Sequence, residues 1–238
     1  MLSKLLDSIK GGRGRVIVAV DDPVITLSRF KELVMRTKDI VSGFKLGLPY
    51  ILNYGLDSIK SVINDFRDTY YIADLKLADI DVIMSLTTKV VSRVGFNGVI
   101  AHGFVGLKSG LDGLKRVCDE LGVDLYVVTS MSHLGSTEVY DLVIDKVLSV
   151  VRGLRPTGVI APATRPEVIR SVRNYLGPTY MILSPGVGVQ GAPPGSAICA
   201  GADLEIVGRV ITSSQDYVRA SEEVIKSQLK YLEVSRCY

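Results

Sequence analysis

The sequence is sparing in several residue types. It carries only three cysteines and two histidines in 238 residues, and Lys plus Arg outnumber Asp plus Glu by 28 to 25. Cys118, Cys199 and Cys237 are odd in number and widely scattered, which excludes a dense disulfide framework and the paired spacing of a zinc site. The expectation is reduced thiols in a cytoplasmic protein. A net charge of +3, with no dense Lys/Arg run interleaved with aromatics, gives no footprint for nucleic acid. The N-terminal MLSKLLDSIKGGRGR is amphipathic and charged and lacks the apolar centre of an export signal. One uncharged run, Leu176 to Ala202, is long enough to cross a bilayer, but Pro178, Pro185, Pro193, Pro194 and many glycines interrupt it. It reads as a strand followed by a mobile loop, and no membrane partner is expected.

What is present suits a compact globular protein: 47% of residues are apolar and 22% charged. Short β-branched runs recur at intervals of roughly 20 to 35 residues: RVIVAVD, SGFKLG, YYIADLK, NGVIAHG, DLYVVTS, TGVIAPAT, TYMILSPG and LEIVGR. Each is nearly continuous in apolar character, as a strand covered on both faces should be. Between them lie segments with helical spacing: LSRFKELVMRTKDI, VIMSLTTKVVSRVG, GLDGLKRVCDELG, EVYDLVIDKVLSVVRG and RPEVIRSVRNYLG. Eight alternating strand and helix units predict a (β/α)8 barrel rather than an open sheet. No linker divides the chain, so residues 1–238 read as one domain, with barrel strands from about 16 to 209 and a final helix and tail over 214–238.

Polar residues recur at the carboxyl end of these runs. The first ends at Asp21, the second carries Lys45, the third has Asp74 and Lys76, the fourth ends at His102, the fifth runs into Ser130 and Ser132, and the last ends at Arg209. In a (β/α)8 barrel these ends converge on one face, where active sites are built. Strand alternation puts Asp74 and Lys76 on the same side as an ion pair, a costly choice unless it serves chemistry. The same alternation puts Asp21 and Asp22 on opposite faces, with Asp22 a capping or solvated residue. The glycine-rich SPGVGVQGAPPGS and the VGR that closes the last strand read as a phosphate site built from backbone N–H groups and Arg209, and not as a nucleotide P-loop, since no G-K-[ST] follows.

These residues resemble the orotidine 5'-phosphate decarboxylase family. The likeness runs from about Val16 to Thr212 and rests on D-x-K-x-x-D at Asp74, Lys76 and Asp79, with VAVDD, FKLG, AHGF, TSMSHLG, SPGVGVQG and IVGR in the family's order. It implies decarboxylation of orotidine 5'-monophosphate to UMP without metal or cofactor, in a homodimer whose sites lie at the subunit interface. By the resemblance, Lys76 delivers the proton to C6, Asp74 lies against the substrate carboxylate, and Lys45 and Asp79 fix the array, with Asp79 reaching into the partner's site. Asp21 binds ribose hydroxyls, Ser132 the pyrimidine, and Gln190 and Arg209 the phosphate, with Pro185 and Gly208 beside the substrate.

The family continues D-I-P-x-T after its third charge, whereas Asp81 stands here for the Pro and Ile83 for the Thr, which puts the ribose contact at Ile83 in doubt. His102 matches a family histidine, though one histidine at a strand end is more often a hydrogen-bonded structural residue. Met131 and His133 read as packing. Two other readings stay open. A sister decarboxylase of sugar phosphates would use Mg²⁺ with an acidic ligand at the position of Lys45, where a cation disfavours the metal. A barrel that binds a phosphate ligand without turnover would tolerate the change at Asp81 and Ile83.

Overall fold

The structure is a computed structural model and describes residues 4–237. Eight strands, β1 (Gly14–Val20), β2 (Val41–Gly47), β3 (Tyr71–Leu77), β4 (Gly98–His102), β5 (Asp124–Val128), β6 (Gly158–Ile160), β7 (Met181–Val187) and β8 (Leu204–Val207), pair in parallel and in chain order, and β1 closes on β8. The helices are α1 (Lys4–Lys10), α2 (Leu27–Thr37), α3 (Leu48–Tyr54), α4 (Leu56–Asp65), α5 (Asp81–Val94), α6 (Asp112–Leu121), α7 (Ser136–Val139), α8 (Ile144–Leu154), α9 (Pro166–Leu176), α10 (Ser196–Cys199), α11 (Arg209–Thr212) and α12 (Tyr217–Val234). This is the (β/α)8 barrel expected from the alternation of strand and helix.

The continuous apolar runs divide between two layers. Ile17, Ile72, Ile100, Val128, Leu183 and Ile206 point into the barrel, whereas Val16, Val18, Val20, Phe44 and Leu46 pack outward against the helices. Both layers exclude water, so the period-2 signal of a half-exposed strand never appears. Local chemistry ends the helices. Thr26 caps α2 by accepting from the Arg29 N–H, Pro166 sits in the first turn of α9, and Gly95 closes α5 at φ +110°, a left-handed stop that costs glycine nothing.

Two expectations need correction. The helix expected over EVYDLVIDKVLSVVRG is two helices, α7 and α8, separated by a tight turn at Asp141–Val143. The run from Leu176 to Ala202 holds β7, as expected, and past it the Gly188 N–H donates to Ala192 O at 2.8 Å before α10 begins. Cys199 and Cys237, expected to be reduced, form a disulfide across 38 residues of sequence, while Cys118 is free and buried. Their spacing did not register as a pair because α12 carries the tail back across the barrel to α10. Among the described residues no helix is long and apolar enough to cross a membrane.

Candidate active site

The first three strands bring four charges into one row. Lys45, inside β2, donates to Asp21 Oδ1 just beyond β1 at 2.6 Å and lies 3.0 Å from Asp74 Oδ2 in β3. Lys76 Nζ lies 3.0 and 2.9 Å from the two oxygens of Asp74. The sequence of charges is therefore acid, base, acid, base. The inner pair is buried, with Lys45 and Asp74 side chains 6% and 8% exposed, whereas Lys76 and Asp21 at the two ends are 42% and 56% exposed. Only the end members can reach a ligand freely.

Alternation of sign keeps the buried pair ionised. Burial pulls the Lys45 ammonium toward neutrality, but Asp74 and Asp21 outweigh it and hold its pKa above the ordinary lysine value. Burial likewise pushes Asp74 up, and Lys45 and Lys76 together reverse this and hold its carboxyl below the ordinary carboxylate value. Backbone space matters as much as charge. A Cβ on Gly47, the last residue of β2, would lie 2.1 Å from Asp21 Oδ1. Only glycine lets Asp21 fold down onto Lys45.

The side-by-side placement of Asp74 and Lys76 does not come from simple strand alternation. Lys76 has φ +45°, and the pairing of β3 with β4 jumps from Ala73 and Val99 to Leu77 and Ala101, two extra residues on β3. A left-handed backbone at a residue with a Cβ costs about 1–2 kcal/mol. Asp74, Leu75 and Lys76 all border the same cavity as a result. Asp21 and Asp22 both border it too, against the expected opposite faces, because the chain leaves the pleat at Val20. Asp22 accepts from the Val24 N–H at 3.0 Å, a turn-forming contact.

The cavity measures about 710 Å³ and opens at the carboxyl ends of the strands. Its floor is the apolar layer of Ile100, Val128, Ile160 and Ile206. Of the residues singled out in the sequence, Asp21, Lys45, Asp74, Lys76, Ser132, Pro185, Gln190, Gly208 and Arg209 border it. Three do not. Asp79 is exposed, and its carboxylate accepts from the Ile80 N–H at 2.7 Å. Ile83 lies on α5 and is likewise exposed. His102 stacks on Phe104 at 4.8 Å and its Nδ1 pairs with the Tyr140 hydroxyl. Burial, and Lys76 after it, lower the His102 pKa against the opposing pull of Asp74. Asp81 accepts from the Val82 N–H at 2.8 Å and starts α5 with a favourable negative charge, so it suits the first helical position as a proline would. Met131 borders the cavity, but His133 is exposed rather than packed.

Arg165 went unnoticed in the sequence. It stands just before α9 and donates to Met131 O at 2.6 Å, to Ser136 Oγ at 3.2 Å, to Ser130 Oγ and to Asp141. One guanidinium thereby ties down both ends of the segment that carries Ser132. The available signal was a charge directly after the apolar run TGVIAPAT, although β6 itself ends five residues earlier at Ile160.

Comparison with known proteins gives a consistent result. The family model for the orotidine 5'-phosphate decarboxylase / HUMPS family matches residues 14–224. The orotidine 5'-phosphate decarboxylase of Aeropyrum pernix is 47% identical over 209 residues, covering 87% of this chain and 85% of that protein. The crystal structure of orotidine 5'-monophosphate decarboxylase from Sulfolobus solfataricus aligns with a TM-score of 0.83 at 35% identity, over 92% of this chain and 100% of the other. That of Methanocaldococcus jannaschii complexed with the inhibitor BMP aligns at 0.81 and 27% identity, over 91% and 99%. On the match over residues 14–224 and on relatives of this identity along most of their length, the chain belongs to the orotidine 5'-phosphate decarboxylase family and is a carboxy-lyase.

Proposed function

We propose that the chain converts orotidine 5'-monophosphate to UMP and CO₂ without a metal or cofactor, and that Lys76 is the proton donor. The observation that carries this reading is the charge row ending in an exposed ammonium on the cavity wall. In the reaction the bond from C6 to the carboxylate carbon breaks, CO₂ leaves, and the electron pair stays on C6. No adjacent carbonyl can absorb that charge. The ammonium of Lys76 stabilises it and then gives up a proton to C6, leaving a neutral amine that solvent reprotonates. Asp74 beside the substrate carboxylate disfavours the bound ground state relative to the transition state.

The remaining wall residues have chemistry suited to the rest of the nucleotide. Asp21 is half-exposed at the far end of the row and can accept from ribose hydroxyls. Ser132 offers a hydroxyl to the pyrimidine edge, while Gln190 in the loop after β7 and Arg209 just after β8 grip the phosphate together with loop N–H groups. Phosphate binding remote from C6 supplies energy for positioning the base. Lys45 between two carboxylates repels a divalent cation, which argues against the Mg²⁺-dependent alternative.

A homodimer belongs to the same proposal. Ile80, Val82, Ile83, Leu86 and Val90 form an exposed apolar stripe along α5, next to Asp79, which does not border the cavity of its own chain. With the stripe covered by a second copy, Asp79 would serve the partner's site. Mixing inactive Lys76→Ala and Asp79→Ala variants should then restore activity through hybrid dimers with one intact site, and no recovery would break the shared-site reading. The primary test follows the ultraviolet change of orotidine 5'-monophosphate in EDTA. Conversion by the wild type and none by Lys76→Ala supports the mechanism. Conversion that needs added Mg²⁺, or nucleotide binding without turnover, overturns it.

A further inference from the structure

The loop assigned to the phosphate, residues 188–195, leaves β7 above the cavity and comes down outside the barrel on the C-terminal helix. Its last residue is fixed there unusually closely. Gly195 has φ +94°, and a Cβ on it would lie 2.8 Å from Gln228 O and 2.7 Å from Tyr231 Cβ, both on α12. Beneath it sits Glu205 of β8, completely buried on the outer face of the barrel. The Gly195 N–H lies 2.9 Å from both carboxylate oxygens, the Ala197 N–H donates to Oε1 at 3.1 Å, and Gln228 Nε2 donates to Oε2 at 2.8 Å. The three donors to this carboxylate are neutral, and the Arg15 guanidinium is near enough to feel its charge without bonding to it. The same short α10 that Glu205 holds at its start is held at its end by the disulfide from Cys199 to Cys237.

Filling a helix-facing strand position needs no charge, and burying one costs several kcal/mol unless it is well paired. A leucine there would pack against α12 at least as well. What the carboxylate adds is a fixed acceptor for two N–H groups, those of Gly195 and Ala197, at the end of the loop. We infer that Glu205 is a positioning residue for the phosphate loop, acting through Gly195 and Ala197, with α12 as the platform on which the loop end is seated. The inference rests on the phosphate reading of that loop. Glu205 does not touch the ligand; it sets the height and direction from which the loop N–H groups and Gln190 meet it.

The test compares the wild type with Glu205→Leu, Glu205→Gln and Gly195→Ala, measuring KM for orotidine 5'-monophosphate, the inhibition constant of inorganic phosphate, and thermal melting. Glu205→Leu and Gly195→Ala should each raise both KM and the phosphate constant by about tenfold, the equivalent of one well-placed hydrogen bond. Glu205→Gln keeps an acceptor for the two N–H groups, and Gln228 can turn its amide to match, so it should return to within about threefold of wild type. A purely structural role would lower the melting temperature and leave the phosphate constant unmoved. If Glu205→Leu does not fold, Gly195→Ala decides, since its change is confined to the loop end. Folded Glu205→Leu and Gly195→Ala variants with phosphate constants within twofold of wild type overturn the inference while the function stands. A wild type that turns over no nucleotide and binds no inorganic phosphate overturns both.

Discussion

The two ends of the barrel each set a carboxylate among hydrogen-bond donors, and the donors differ in kind. At the carboxyl end, Asp74 is matched by the ammonium groups of Lys45 and Lys76. At the amino end, Asp124 accepts from the Tyr70 hydroxyl at 2.5 Å and from Thr157 Oγ1 at 2.9 Å, and Tyr70 lies 2.9 Å from the Tyr126 hydroxyl. Burial pushes the Tyr70 phenol well above its ordinary pKa, so its proton stays in place. The hydroxyls that donate to Asp124 hold their protons near neutral pH, whereas the donors to Asp74 are ammonium groups, one of them open to the cavity. The apolar layer around Ile72, Ile100 and Ile206 separates the two clusters, so one end can bear charge and strain while the other plugs the barrel.

The largest effect that should separate the two ends is on turnover. Lys76→Ala should lower kcat/KM by at least about 10⁴-fold in the ultraviolet assay, since it removes both the charge stabilisation and the proton. Its melting temperature should change little, because the Lys76 ammonium is itself part-exposed and the buried Asp74 keeps Lys45. Next in size, Lys45→Met leaves Asp74 half-paired in a buried setting and should cost about 3–5 kcal/mol in urea unfolding, besides lowering turnover. An unchanged unfolding midpoint would show that Lys76 alone carries Asp74. Smaller still, Tyr126→Phe at the amino end should cost about 1–2 kcal/mol of stability and leave kcat/KM within twofold of wild type. A loss of turnover there would mean that the apolar layer does not insulate the two clusters.

The finest distinction is in pH dependence. Asp74 has its pKa lowered in the folded chain, so its stabilising contribution is present above the ordinary carboxylate pKa of 3.8 and is lost as pH falls through the lowered value. Lys45 has its pKa raised, so its contribution is complete below 10.5 and is lost as pH rises through the raised value. Urea unfolding of the wild type and of a Lys45→Met, Asp74→Asn double variant should therefore differ by a constant amount between those limits. The difference should change on either side. A difference that drifts across neutral pH would mean that one member of the row is not ionised.

Much of the fold was legible because each strand is covered on both faces and so reads as a continuous apolar run, ending where a charge stands. The same ends gave most of the cavity wall. What stayed hidden depends on long-range geometry. Helices α3 and α4 are short and meet at Gly55, so neither shows enough turns to declare itself. The disulfide needs α12 to bring Cys237 home, and the acceptor role of Glu205 exists only once the loop after β7 lands on that helix. The left-handed backbone at Lys76 has no local signature, since lysine is not a residue that seeks it. The sequence suggested that Asp74 and Lys76 should meet, and a two-residue bulge rather than strand alternation brings them together.

Gly47 carries no functional group, yet one added carbon there would displace Asp21 and free one side of Lys45. A survey of every substitution scored by growth would rank this position beside the lysines, and a list of reactive side chains would omit it. In this barrel the map of intolerance to change extends past the atoms that do chemistry, to the empty volume into which those atoms must fit.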